Sequence, residues 1–164
     1  MLRGLDASGA ALSAHEPPVV DLSAGERFDG TVTLYVHESP SPSGRRRFRA
    51  ARERLELLRE AGVLGEARFV AWPDRVGGSA TDAGAAVRSL YEGFRAAAGE
   101  AALGPTFERS QGELRVPELA AAARRDGRLV GLYPLATDGA VTSVEDATAR
   151  LLAGDGVGNL CSSL

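Results

Sequence analysis

The stretch Thr31-Val-Thr-Leu-Tyr-Val36, then Gly44-Arg-Arg-Arg-Phe-Arg-Ala-Ala-Arg52, then Arg68-Phe-Val-Ala-Trp72 decides the fold. The outer segments are short, rich in β-branched and aromatic residues, and read as strands. The segment between them has helical period. Phe48, Ala51, Leu55 and Leu58 recur at helical spacing and form one apolar stripe, while Arg45, Arg46, Arg49, Arg52 and Arg59 fill the rest of the surface. A helix from Gly44 to Ala61, stopped by Gly62, is expected, and with its flanking strands it makes a βαβ-like unit.

Working outward, a second helix is expected to open at Ser79-Ala-Thr-Asp82, where serine and aspartate can satisfy free backbone donors at a positive helix end. Its stripe is Val87, Leu90, Tyr91, Phe94 and Ala98. A short strand (Thr106 to Ser110) follows Gly104-Pro105, then an apolar run from Val116 to Ala123. Alanine favours helix within that run, but Pro117 and the turn after it favour strand. Asp126-Gly127 tolerates the positive φ angles of a tight hairpin, so the run should pair with a strand from Arg128 to Tyr133. The last helix begins at Thr142 or Ser143, with Glu145 and Asp146 in its first turn, and buries Val144, Ala147 and Leu151. These spacings place Leu55, Leu58, Leu90, Phe94, Val130 and Leu132 in one shared core.

The order of elements is that of an α+β protein, a two-layer, ferredoxin-like sandwich with a mixed or mostly antiparallel sheet and helices packed on one face. Residues 1–28, rich in Ala, Ser and Gly with Pro17-Pro18, are expected as a flexible arm in which only Val19-Val20-Asp21-Leu22 could dock as an edge strand. Residues 29–154 form the α+β domain, and 155–164 a flexible tail after Gly154.

The pattern Val32-Thr-Leu-Tyr-Val-His-Glu-Ser-Pro40, the arginine- and leucine-rich helix, Phe69-Val-Ala-Trp72, and Arg125-Asp-Gly-Arg-Leu-Val-Gly-Leu-Tyr-Pro134 leading into Val141-Thr-Ser-Val-Glu-Asp146 resembles a group of haloarchaeal proteins, some labelled helix-turn-helix-containing. The resemblance covers roughly residues 30 to 154. Its motifs are hairpin and cap signals, so it implies the layout and a link to transcription, with no catalytic residue carried over.

Charge is unevenly spread. The 19 basic residues are all arginine and the net charge is −3, yet Gly44 to Arg59 holds seven arginines against two glutamates. That segment is therefore +5, and the remainder −3 − 5 = −8. Phosphate binds arginine through charge and bidentate geometry, so Arg45, Arg46, Arg47, Arg49 and Arg52 form a candidate interaction face. Glu53 and Glu56 can pair along the same helix, which favours a solvated face or an acidic protein partner.

Other chemistry finds little support. His15, His37 and Cys161 are too few and too scattered for a metal centre, and no cofactor is expected. Cys161 has no base beside it and no disulfide partner. Gly77-Gly78 precedes a helix but lacks a phosphate-loop lysine. No run approaches the roughly 18 apolar residues of a membrane span, and the start lacks a signal-peptide core, so a soluble cytoplasmic protein is expected.

The preferred reading is a non-enzymatic interaction or regulatory domain whose partner is a protein or a second copy in a homodimer. The alternative is a nucleic-acid-associated transcriptional regulator using the arginine helix. A third is a small enzyme with a pocket near His37, Asp74 and Tyr133.

Overall fold

The computed structural model describes residues 27–77, 82–137 and 139–160. Four strands make the main sheet: β1 (Phe28–His37), β2 (Leu64–Trp72), and, later in the chain, β6 (Leu119–Arg125) and β7 (Arg128–Tyr133). Their order is β2-β1-β6-β7, with β2 parallel to β1 and the other pairs antiparallel. Helix α1 (Pro42–Glu60) is the crossover that makes the parallel pair possible. Between the halves of the sheet lie β3 (Arg75–Val76), α2 (Asp82–Ala98), α3 (Glu100–Leu103), β4 (Glu108–Ser110) and β5 (Glu113–Arg115). The strands among these pair antiparallel as β3-β5-β4. A small hairpin, β8 (Leu135–Thr137) and β9 (Ala140–Thr142), leads into α4 (Val144–Leu152).

The class is α+β with a mostly antiparallel sheet, as the sequence implies. The helices, however, do not share one face. On one side α1 and α4 cover Val32, Leu34, Val36, Ala121, Ala123 and Tyr133. On the other, α2, α3 and the small sheet cover Tyr35, Trp72, Ala120, Ala122 and Leu132. The expected shared core is accordingly split: Leu55 and Leu58 are buried on the first side, with Val130 packed against that cluster, whereas Phe94 and Leu132 are buried on the second with Leu90 at their margin. The physical reason is the alanine run. Ala120 to Ala123 are buried on alternating faces of β6, so both faces of this central strand are apolar and both need a cover.

Local signals explain the boundaries. Ser41 caps α1 through a hydrogen bond from Gly44 N–H at 3.0 Å, and Pro42 occupies a first-turn position where its missing N–H costs nothing. The helix ends when Gly62 turns to φ 79° while Val63 N–H donates to Leu58 and Gly62 N–H to Arg59. Helix α4 opens with a full capping box between Ser143 and Asp146. The β6–β7 turn has Asp126 at φ 54° and Gly127 at φ 77°, closing the Arg125–Arg128 pair.

Two further differences concern the ends of elements. Glu108–Ser110 and Glu113–Arg115 form a hairpin of their own before the alanine strand begins at Leu119. Residues 155–160, expected within a free tail, lie along β7: Val157 is buried, Leu160 N–H donates to Val130, and the Asn159 side chain bonds both the N–H and C=O of Leu132 at 2.8 Å. Residues 1–26, with His15 and Val19 to Leu22, lie outside the described residues, as do Gly78 to Thr81 of the second-helix start and Cys161.

Candidate nucleic-acid interface

Helix α1 buries Gly44, Ala51, Leu55 and Leu58, and so turns its arginines to solvent. Phe48 meets Phe69 of β2 edge-on at 6.2 Å, which seats the helix over the parallel pair. The arginines then divide by what they touch.

Arg47 is engaged. Its guanidinium donates to both carboxylate oxygens of Glu145 at 2.7 and 2.9 Å, a bidentate bridge from α1 to the first turn of α4. That bond raises the Arg47 pKa and holds the Glu145 carboxyl below its ordinary value. Arg52 is partly engaged, with Glu56 at 3.4 Å one turn on and with the Phe69 ring beneath it at 4.8 Å. The side chains of Arg45, Arg46 and Arg49 are exposed and make no ion pair or hydrogen bond among the described residues. Their spacing places them within an arc of about 100° and about 6 Å of helix axis. Such a cluster suits a run of phosphates. The start of α1 is itself electropositive, but Glu118 already occupies it, accepting from Ser41 N–H at 2.6 Å and Ser41 hydroxyl at 3.0 Å. The Ser41 amide bond lowers the Glu118 pKa. A Cβ at Gly44 would force that carboxylate to move aside.

The pocket expected near His37, Asp74 and Tyr133 does not form. Tyr133 is fully buried beneath α4, its hydroxyl donating to Val157 C=O at 2.7 Å. His37 lies at the end of β1, where Nε2–H donates to the Val116 carbonyl at 2.9 Å. Asp74 is near it only through its backbone, which accepts from Val116 N–H. Tyr133 pairs with Ala121, which pairs with Leu34, so Tyr133 lies two strands from β1 and level with a core residue, while His37 sits at the strand end. A groove of about 540 Å³ between α2 and the β4–β5 hairpin and another of about 570 Å³ on the open end of the sheet contain none of the three residues. Among the described residues no group of three His, Cys, Asp or Glu side chains converges in a way that could hold a metal ion. No helix among them is long and apolar enough to cross a membrane.

Sequence reasoning picked out Arg45, Arg46, Arg47, Arg49 and Arg52 as a candidate interaction face and treated the five alike. The partner of Arg47 lies 98 residues away on α4, beyond any helical spacing rule. Only the Arg52–Glu56 pair, one turn apart, was legible locally.

Residues 26–156 match a protein family described as a helix-turn-helix domain, and the chain belongs to that family. No curated protein and no solved structure matches it. A helix-turn-helix joins two helices at roughly 90–120° through a turn of about 3–4 residues. Among the described residues, α2 and α3 are the helices that follow one another without a strand between them, joined at Gly99 with φ 92°, and α3 has four residues.

Proposed function

We propose that this member of a helix-turn-helix domain family is a nucleic-acid-associated transcriptional regulator, and that it meets DNA through α1. The family description favours DNA over the protein partner that charge alone favoured. Within the fold, one observation carries the choice of surface: Arg45, Arg46 and Arg49 are exposed and without partners among the described residues, on a helix of 19 residues. Helix α3, at four residues, is about 6 Å long and too short to span a groove.

The remaining charge supports the same orientation. With −8 outside the arginine segment, a polyanion is repelled from most approaches and drawn to one. Arginine contacts to phosphate position a protein without reading sequence, so this face accounts for affinity rather than for choice of site.

The test is a fluorescence-anisotropy titration of a labelled mixed-sequence duplex at about 0.15 M salt, where non-specific protein–DNA complexes fall at roughly 10⁻⁴–10⁻⁶ M. Micromolar binding that disappears in the Arg45/Arg46/Arg49 triple alanine variant is expected. Absence of binding, or a triple variant that binds as tightly as the parent, refutes the proposal.

A further inference from the structure

The main sheet has two edges, and they differ. The β7 edge is covered by residues 157–160, through the bonds to Val130 and Leu132 already described. The β2 edge meets no further strand among the described residues. It is nine residues long, and Glu66, Arg68 and Val70 are all exposed along it, Val70 by 40%. A long open edge is a template for another strand, and natural edges are usually short, bulged or covered.

The sequence of this edge is complementary to itself. Thr31, Thr33 and Tyr35 of β1 stand beside Glu66, Arg68 and Val70 of β2, so these three β2 residues share one face. When two copies of β2 run antiparallel about a two-fold axis, opposed residues must lie on the same face, so the axis passes between the two copies of a single residue. Centred on Ala67, the axis sets Glu66 against Arg68 of the second copy, twice, with Ala67 facing Ala67 and Gly65 facing Phe69. Centred on Arg68 or on Glu66, it opposes like charges directly, which disfavours pairing. Centred on Phe69, it leaves Glu66 facing Trp72 and Arg68 facing Val70, with no opposite charge for either.

We propose that the chain forms a homodimer by antiparallel pairing of β2 with β2 of a second copy, in the register centred on Ala67, giving one continuous eight-stranded sheet. Within one chain Glu66 and Arg68 already attract at 2.9 Å, so the dimer contains a closed square of alternating charges. Small residues at the axis let the backbones approach, and Phe69 covers Gly65 across the junction. Antiparallel pairing keeps like faces together, so both α1 helices lie on one side of the joined sheet. The pairing itself does not depend on the DNA reading and is measured without nucleic acid.

Sedimentation velocity or light scattering of the full chain at tens of micromolar tests it. The expected mass is twice the 17.1 kDa of one chain. Arg68→Glu changes a side chain that is 63% exposed, sets carboxylates against carboxylates and should give monomer, with a circular dichroism spectrum matching the parent's. The exchange Glu66→Arg with Arg68→Glu restores opposite charges and should restore the dimer. A monomeric parent protein overturns the proposal and leaves this edge to another segment. A dimer that survives Arg68→Glu, or is not recovered by the exchange, overturns it equally, because the contact then lies elsewhere.

Discussion

Replacing Phe94 with alanine tests the division of the core into two. Phe94 is fully buried on the α2 side of the sheet, with Tyr35 at 6.4 Å and Phe107 at 6.0 Å, both edge-on. Removing a buried aromatic ring costs about 3–5 kcal/mol, the transfer term plus the cavity left behind. The value here should sit near the middle, about 4 kcal/mol, because the edge-on ring contacts are lost and the alanines of β6 cannot fill the space. For a chain of this size each kcal/mol lowers the melting temperature by about 2–4 °C, so a fall of roughly 8–16 °C follows. Trp72 is the reporter: it is the sole tryptophan, buried, stacked on Tyr35 at 4.6 Å, and in the same cluster as Phe94. Guanidinium unfolding followed by its fluorescence should show a lower midpoint with an unchanged slope. Leu57→Ala is the control, since Leu57 is 63% exposed and its loss should stay within about 0.5 kcal/mol. A midpoint unchanged by Phe94→Ala would refute the placement of α2 against this face.

The Glu118 carboxyl is held below its ordinary pKa chiefly by the Ser41 amide, and Glu145 by Arg47, so both contribute stability that is present above the unfolded carboxylate pKa and lost as pH falls through the folded one. Denaturation midpoints should therefore drop as pH falls from about 5 towards 3, and Glu118→Gln should flatten part of that drop; a pH profile identical to that of the parent would count against the cap. Gly131→Ala places a Cβ 2.5 Å from the backbone oxygen of Val157, which cannot swing away as a side chain could. The variant should lose about 1–3 kcal/mol and exchange the Leu160 amide hydrogen faster, whereas unchanged exchange would show that residues 157–160 do not depend on this contact.

The elements most legible in the sequence were those whose signals are local. Asp126-Gly127 announced its hairpin, Ser143 with Asp146 its cap, and the stripe Phe48, Ala51, Leu55, Leu58 the buried side of α1. What escaped was set by contacts distant in sequence. Pro117 and the hairpin turn identified β6 as a strand against the helix propensity of its alanines, but nothing local showed that both of its faces are buried between two helical layers, which is what makes small side chains the right choice for this central strand. Tyr133 looked available for chemistry because nothing nearby in sequence shows that Val157 closes over it. The arginine face was visible as composition, but the distinction between Arg47, tied to Glu145, and Arg45, Arg46 and Arg49, which are not, depends on how α4 folds back beside α1.

The salt dependence of DNA binding tests the account most directly. Each phosphate contact contributes about −0.9 to the slope of log K against log salt, so contacts from the clustered Arg45, Arg46 and Arg49 predict a slope near −3 for each chain, and Arg49→Ala should bring it to about −2. Arg47→Ala should leave the slope unchanged and cost at most about 1 kcal/mol of stability, because that guanidinium already serves Glu145 in a half-exposed bridge. A slope that does not respond to Arg49→Ala, or that responds equally to Arg47→Ala, would contradict the assignment of α1 as the surface that meets DNA.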